Sequence, residues 1–268
     1  NAVANLGYAQ GRFLAPVFPG DTLRAESEVI GLKANSSGRD GVVWVRTRGL
    51  NQHDDCVLDY VRWVMIRKRD PAAPAPPGAP PDLAPALEAD MLGDACPPID
   101  AEAWDAGLAG APCRWGDFVV GERIDHVDGV TVEEAEHQLA TRLYQNAAKV
   151  HFNQLAQGRT PAGRRLIYGG HVISLARALS FNGLGCAFHV AGVNAGRHVA
   201  PLHAGSTVFA WSEILAVEPI PGRDDVGALR IRTVATKDRS CEDFPDRVDG
   251  GYDPAVILDL DYWALAPR

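Results

Sequence analysis

The chain has 268 residues, of which 46% are hydrophobic and 22% charged, and its formal net charge is −8. This composition allows one large globular domain or two of ordinary size. The acidic balance, without any lysine- or arginine-rich run, argues against a nucleic acid or an anionic membrane surface as the main partner. No apolar run in the sequence reaches the roughly 18 residues that would span a bilayer.

Five cysteines lie far apart in the chain and form no CxxC motif. Their odd number and wide spacing argue against a disulfide framework and against a zinc site. We therefore expect a protein of the reducing cytoplasm that binds no metal.

The first thirty residues recur near the other end of the chain. Residues 4–30 align with residues 189–215 at a constant offset of 185, with 10 identities in 27 pairs. The likeness continues downstream, where residues 41–47 resemble residues 227–233. Self-similarity of this kind indicates a duplicated structural unit.

Each copy has the residue pattern of an antiparallel meander. Alternating, β-forming segments are separated by short polar turns, which favours consecutive strands joined by hairpin connections. The predicted strands are 22–30, 42–47 and 57–66 in the first copy, and 207–215, 228–236 and 256–265 in the second.

The two copies differ in what precedes the aligned segment. A long segment, from about Trp115, precedes it in the second copy, whereas only six residues precede Gly7 in the first. We therefore expect the first repeat to be incomplete in this chain. The predicted organisation is the C-terminal part of a first repeat at 1–70, a semi-extended Pro/Ala-rich linker at 71–112, and a complete second repeat at 113–268.

The second repeat opens with elements of its own. Residues 116–131 predict a strand and a turn, and Thr131 to Glu134 fit a helix capping box that precedes a helical pattern. Residues 158–165 form a basic loop. The run 166–184 is apolar on nearly all sides, which predicts a buried central helix that leads into a strand near 187–194.

The side chains best suited to acyl-thioester chemistry lie between residues 144 and 171. His151 stands in a polar cluster, and an imidazole moves protons near neutral pH. The pair Gly169–Gly170 opens the apolar helix, and backbone N–H groups at a helix N-terminus can hold a developing enolate oxygen. His171 is an alternative proton carrier. The competing interpretations are purely structural: glycines that allow close packing, and polar histidines that face away from any site.

A long apolar helix wrapped by an antiparallel meander is the hot-dog architecture, and two copies make a double hot-dog of the α+β class. Residues 15–23, their echo at 200–208, and the segments around His151 and Gly170 resemble the MaoC-like, R-specific enoyl-CoA hydratase family. A closer likeness, to the mesaconyl-CoA hydratase (β-methylmalyl-CoA dehydratase) branch of that family, is carried by residues 143–153, 164–184 and 252–263.

This resemblance implies a hydro-lyase that reversibly adds water to 2-methylfumaryl-CoA (mesaconyl-CoA) to give β-methylmalyl-CoA. Coenzyme A would be part of the substrate, with no separate cofactor. The resemblance further implies His151 as the acid/base, Gly170 N–H as the holder of the thioester oxygen and, by analogy, a homodimer. The second half would be catalytic, and the first would supply the matching sheet and part of the acyl-CoA groove.

Two other functions are open on the same fold. The protein could be an acyl-CoA thioesterase, which usually carries an acid on or near the central helix, or a non-catalytic acyl-CoA-binding subunit. Residues 168–184 contain no acid, which counts against a thioesterase.

The family's hydration motif, Asp-x-Asn-Pro-x-His, is only partly present. Asn146 stands at the position of the aspartate, Ala148 at that of the asparagine and Lys149 at that of the proline. Asn146 could position the water or hold His151, but an amide is no general base. On a straight helix, five residues turn through about 500°, so the two side chains would point apart. Either the helix unwinds near 147–149, or only one of them faces the site.

Mesaconyl-CoA also carries a free carboxylate, which requires an arginine or a polar cradle. Arg142, Arg164 and Arg165 are nearest in sequence. Arg12 and Arg197 recur at matching positions in the two repeats, so a shared structural role is the simpler interpretation for them. The predicted substrate-binding residues are Tyr144, Gln145, Asn153, Arg164, Arg165, Tyr168, Gly169 and His171.

Overall fold

The protein is described here by a computed structural model that covers residues 2–74 and 76–268. Residues 1 and 75, which the predicted first repeat and the predicted linker include, lie outside the described residues. The first half supplies strands β1 (Ala2–Phe13), β2 (Arg24–Ala34), β3 (Asp40–Leu50) and β4 (Cys56–Arg67). The second half supplies β5 (Arg123–Asp125), β6 (Val130–Thr131), β7 (His189–His198), β8 (Thr207–Pro219), β9 (Val226–Lys237) and β12 (Val256–Pro267).

These ten strands form a single antiparallel sheet in the order β2-β3-β4-β1-β7-β12-β9-β8-β5, with β6 also paired to β8. A separate small hairpin joins β10 (Arg247–Val248) and β11 (Gly251–Tyr252). The six predicted strands are confirmed, each with somewhat different ends. The order of the strands in one half mirrors that in the other, as a double hot-dog requires.

The two halves meet along β1 and β7, and their pairing is symmetric. Gly7 lies opposite Arg197, and Arg12 lies opposite Gly192. The offset of 185 equates Gly7 with Gly192 and Arg12 with Arg197, so exchanging the halves returns the same two pairs. A pseudo-twofold axis therefore passes between β1 and β7, which confirms that the repeat in the sequence is a structural duplication.

Within the described residues, six short α-helices accompany the sheet: α1 (Ala106–Ala109), α2 (Glu134–Leu143), α3 (Lys149–Phe152), α4 (Gln154–Gln157), α5 (Gly169–Leu179) and α6 (Phe181–Leu184). None of the helices in the described chain is long and apolar enough to cross a membrane. All six belong to the second half or to the segment before it.

Helix α5 is the central helix of the second half. Val172, Leu175, Ala176 and Leu179 recur at helical spacing and are buried against the inner face of β8, β9 and β12. The helix is shorter than the sequence predicts, and its buried apolar face is narrower. It begins at Gly169 rather than Leu166, and Ser174 on its outer side is exposed.

The Pro/Ala-rich segment is more firmly held than a semi-extended linker. Leu87, Leu92 and Cys96 are buried on the face of the sheet opposite α5, in a cluster with Trp263. The indole of Trp263 also donates a hydrogen bond to the carbonyl oxygen of Leu87, over 3.1 Å. The prediction of a semi-extended linker is therefore wrong for its second part, because three apolar side chains attach that part to the sheet.

The predicted capping box before α2 is also wrong. Thr131 belongs to β6, where its hydroxyl lies 2.8 Å from that of Thr207 on β8. The helix begins later, and its N-cap residue, Glu133, makes no side-chain capping bond. Thr131 therefore pairs with β8, and it does not cap the helix as the sequence pattern predicts.

Candidate active site

His151 stands on α3 because the chain leaves helical geometry after α2. Tyr144 is the C-cap residue of α2, and Gln145 adopts a positive φ of 50° that an L-residue seldom takes. Asn146 then accepts a hydrogen bond from Ala148 N at 2.9 Å through Oδ1. The helix is therefore interrupted between Asn146 and His151, as the first of the two alternatives requires, although no proline or glycine lies there.

The hydrogen bonds of His151 fix the state of its ring. Nδ1 lies 2.9 Å from the carbonyl oxygen of Leu166, which can only accept, so Nδ1 carries the proton. Nε2 therefore holds a free electron pair. Burial lowers the pKa of His151 below 6.5, outweighing the bond to Leu166, which raises it. The imidazole is thus neutral at pH 7, with Nε2 able to accept a proton.

A second histidine, His137, bonds to the main chain of this segment. His137 on α2 is fully buried, and its Nε2 lies 2.7 Å from the carbonyl oxygen of His151. Nε2 must therefore carry a proton, while Nδ1 faces the N–H of Tyr168 at 3.4 Å. Gln138 donates a further bond to the same His151 carbonyl, over 2.8 Å. His137 thus ties α3 to the segment that opens α5.

The opening of α5 lies beside the His151 ring. The rings of Tyr168 and His151 are 5.8 Å apart, and Tyr168 is the N-cap residue of the helix. A Cβ placed on Gly170 would come within 2.6 Å of the Tyr168 hydroxyl oxygen. Only glycine lets the phenol lie this close to the first turn, where the helix presents N–H groups that have no partner in the helix.

The surroundings keep the Tyr168 phenol neutral. Burial raises its pKa, and the neighbouring phenols of Tyr144 and Tyr60 raise it further. Tyr144 lies 6.5 Å from the Tyr168 ring but is mostly exposed. Tyr168 can therefore donate a hydrogen bond into the space beside His151.

Several predicted substrate-binding side chains already have partners within the chain. Arg165 forms an ion pair with Glu134. His171 Nε2 lies 3.1 Å from Glu136 Oε1, although the geometry is not that of a hydrogen bond. Asn153 uses its side-chain oxygen to accept from Ala156 N, which caps α4. These contacts give the residues structural tasks.

The other predicted side chains are more open. Arg164 is exposed, and Gln145 and Asn146 line a cavity of about 350 Å³ together with Arg142 and Phe152. The cavity lies beside the interruption between α2 and α3. Gly169 sits at the first position of α5, where a Cβ would come within 2.7 Å of the His198 ring.

The first half also reaches the site, which the sequence reasoning did not identify in detail. Tyr8 on β1 lies 6.0 Å from the His198 ring and 6.4 Å from the Tyr60 ring on β4. Burial, with a smaller contribution from Tyr168, raises the pKa of Tyr8 to about 12. A row of aromatic side chains therefore runs from β4 and β1 to the opening of α5. Only the pairing of β1 with β7 brings them together.

Among residues 2–74 and 76–268, no group of three or more His, Cys, Asp or Glu side chains is placed to hold a metal ion. The groups that lie beside His151 include imidazoles, phenols and backbone amides. They suit proton transfer and the stabilisation of a negative oxygen.

Solved structures define the class of the protein. A MaoC domain dehydratase of Chloroflexus aurantiacus superposes with a TM-score of 0.96 at 58% identity, over 100% of this chain and 76% of that one. A Mycobacterium tuberculosis protein described as a double hot-dog superposes with a TM-score of 0.64 at 27% identity, over 98% of this chain and 75% of that one. The chain is therefore a MaoC-like double hot-dog protein.

Sequence relatives narrow this class to one family. The family model for mesaconyl-CoA hydratase matches residues 4–245. The chain is 64% identical to a mesaconyl-CoA hydratase of Cereibacter sphaeroides, over 100% of its own length and 77% of the relative's. It is 58% identical to a β-methylmalyl-CoA dehydratase of Chloroflexus aurantiacus, over 100% and 76%. The chain belongs to the mesaconyl-CoA hydratase family.

Proposed function

We propose that this protein reversibly adds water to the double bond of mesaconyl-CoA and so forms β-methylmalyl-CoA. The substrate is the one that the names of the relatives state. The observation that carries the chemistry is the neutral His151 ring, with Nδ1 bonded to the Leu166 carbonyl and Nε2 left as a base, beside the opening of α5.

In the hydration direction, the thioester oxygen accepts a hydrogen bond from Gly170 N–H. The positive end of the α5 dipole stabilises the enolate that forms there. His151 Nε2 takes a proton from water as its oxygen bonds to Cβ. The imidazolium then gives a proton to Cα, which restores the neutral ring and balances the reaction.

Asn146 has a limited part in this proposal. Its Oδ1 already accepts from Ala148 N and, within the described residues, its amide N–H groups are free to orient the water. An amide donor cannot remove a proton, which leaves proton transfer to His151. Pairing into a homodimer and a cytoplasmic location, which the resemblance and the cysteines suggest, belong to the same proposal.

The test is a hydration assay of the whole protein with mesaconyl-CoA and crotonyl-CoA, together with a thiol trap. We expect the enoyl-thioester absorbance to fall without release of free CoA, fastest for mesaconyl-CoA. His151→Ala should abolish this reaction, whereas His53→Ala, on an exposed loop, should not change it.

Each other outcome has a definite meaning. Release of free CoA would identify a thioesterase, and no turnover of either substrate would identify a binding subunit. Full activity of His151→Ala would show that the reaction uses another base.

A further inference from the structure

Arg62 occupies a core position of the duplicated fold. Trp63 and Trp263 are equivalent, so Arg62 corresponds to Tyr262. The strand register agrees: Arg62 lies opposite Tyr8 and Val45, whereas Tyr262 lies opposite Val193 and Ile231. Tyr262 is 1% exposed and belongs to the core beneath α5. The first half thus places a guanidinium where the second half buries a phenol ring.

The charge of Arg62 has no counterion in the described part of the chain. Its Nε is buried and has no hydrogen-bond partner there. Two other arginines on the sheet are matched: Arg46 and Arg232 bond to Asp59 and Asp259 at equivalent places. A partly buried cation without an anion is unfavourable, so this position is suited to binding an anion.

Arg62 faces the candidate active site. Its cross-strand neighbour Tyr8 contacts the His198 ring, and His198 in turn lies against Gly169 at the start of α5. Its positive charge is also felt by two phenols, since it lowers the pKa of Tyr8 and of Tyr168, against the effect of burial. The guanidinium and the His151 ring therefore both lie near Tyr168.

The arginines that the sequence favours are less suited to this task. Arg165 is paired with Glu134. Arg164 and Arg142 are exposed, so water solvates them and their interaction with an anion is weakened. Arg165 also has a buried Nε without a partner in the described chain, but its charge is matched by Glu134. Within the described residues, Arg62 is therefore the one of these four that is partly buried and has no carboxylate partner.

We propose that Arg62, contributed by the first half, binds the free carboxylate of the substrate and so selects dicarboxylyl-CoA thioesters. A planar guanidinium suits a carboxylate because it can donate two parallel hydrogen bonds. This inference rests on the proposed hydration of mesaconyl-CoA. It assigns the reaction chemistry to the second half and the recognition of the acyl end to the first.

The test compares two substrates that differ only in this group: mesaconyl-CoA and 2-methylcrotonyl-CoA, in which a methyl replaces the carboxylate. Arg62→Met should lower kcat/KM for mesaconyl-CoA by about 10- to 150-fold, the value of a charge-assisted hydrogen bond or pair of bonds. The same change should leave kcat/KM for 2-methylcrotonyl-CoA within about twofold. Arg62→Lys, which keeps the charge without the fork, should lie between wild type and Arg62→Met on mesaconyl-CoA.

Arg67→Met is the matched control, because Arg67 lies on the same strand but is exposed. It should match wild type on both substrates. The melting temperatures of all variants are measured alongside, since Met at position 62 replaces an unpaired charge and should not destabilise the fold.

The possible failures are separate. If wild type hydrates neither substrate, the proposed function is overturned and this inference with it. Suppose instead that wild type hydrates mesaconyl-CoA, while Arg62→Met lowers kcat/KM equally for both substrates and also lowers the melting temperature. In that case Arg62 has a structural role. If Arg62→Met retains wild-type preference, another group binds the carboxylate.

Discussion

His137 donates a hydrogen bond from Nε2 to the carbonyl oxygen of His151, over 2.7 Å. The contact joins a fully buried imidazole to the main chain of the residue that we propose as the base. Through Nδ1, the same ring faces the N–H of Tyr168. Two segments of the site, α3 and the opening of α5, are therefore held at a fixed separation by one side chain.

Replacing His137 should lower catalysis and stability together. His137→Phe keeps a ring but removes both bonds, which should destabilise the fold by about 1–3 kcal/mol. Displacement of His151 and Tyr168 should reduce kcat by about 10- to 100-fold, since small errors in position are costly. The measurements are kcat for hydration and the free energy of unfolding in urea.

His126→Phe is the control for that variant. His126 is equally buried and bonds to Asn182 O and Ser212 Oγ, away from His151. It should lose similar stability and keep its kcat. Equal losses of kcat in both variants would mean that burial of a histidine, and not its contact with His151, is what matters.

Gly170 should not tolerate a side chain. A Cβ there would lie 2.6 Å from the Tyr168 hydroxyl oxygen, so the ring must move or the helix must shift. Gly170→Ala should therefore reduce kcat by about 10- to 1,000-fold, up to the loss seen when an oxyanion donor is removed. Binding of CoA, measured by calorimetry, should change little.

Gly116→Ala is the control, because a Cβ at Gly116 meets nothing within 4 Å. Wild-type turnover of Gly170→Ala would show that the phenol need not lie at the helix opening.

The pH dependence of hydration should follow the neutral form of His151. Burial places the pKa of this imidazole below 6.5, so it is already neutral at pH 7. We expect kcat/KM to be level from pH 7 to 8 and to fall with acidity only below pH 6.5, since protonation removes the base. His126→Phe should leave the profile unchanged. A rate that rises steadily between pH 7 and 8 would contradict a base with a lowered pKa.

Much of this fold can be predicted from the sequence, because the duplicated positions include glycines that the close approach of the backbone requires. Gly7 and Gly192 recur at one offset, and each lies where the two central strands or their neighbours approach closely: a Cβ at Gly7 would meet the Trp63 ring at 2.4 Å. Alternation of apolar residues then gives the strands, and an apolar run gives α5. Such features depend on local patterns, so they can be predicted without knowledge of the tertiary contacts.

The parts that were missed depend on contacts between distant segments. Leu87 packs against Trp263, yet its surroundings in the sequence are proline and alanine, whose average composition predicts an unpacked linker. The position of Arg62 near the site follows only from the register of β4 with β1, and from comparison with Tyr262. His137 lies within a charged helix, and nothing in its spacing shows that it supports His151.

The attachment of the Pro/Ala-rich segment gives a further prediction. Arg223 donates to the carbonyl oxygen of Cys96 at 2.8 Å and pairs with Asp225, which in turn accepts from Ile99 N at 2.9 Å. The guanidinium holds the pKa of the Asp225 carboxyl far below its usual range. Arg223→Ala removes the bonds to Cys96 and Asp225 and should lower the free energy of unfolding by about 2 kcal/mol. It should also speed limited proteolysis between residues 82 and 99, whereas kcat for hydration stays near that of wild type, because none of these atoms contacts His151.

Arg24→Ala is the matched control for the Arg223 variant. Arg24 also pairs with two acids, Glu26 and Asp54, but its side chain is 48% exposed. Exposed pairs contribute at most about 1 kcal/mol, so this variant should unfold almost like wild type and be cleaved at the same rate. If Arg223→Ala is no more sensitive to protease than Arg24→Ala, the buried contacts of Leu87 and Leu92 alone hold the segment to the sheet. If it loses activity as strongly as His151→Ala, the segment supports the active site from the opposite face.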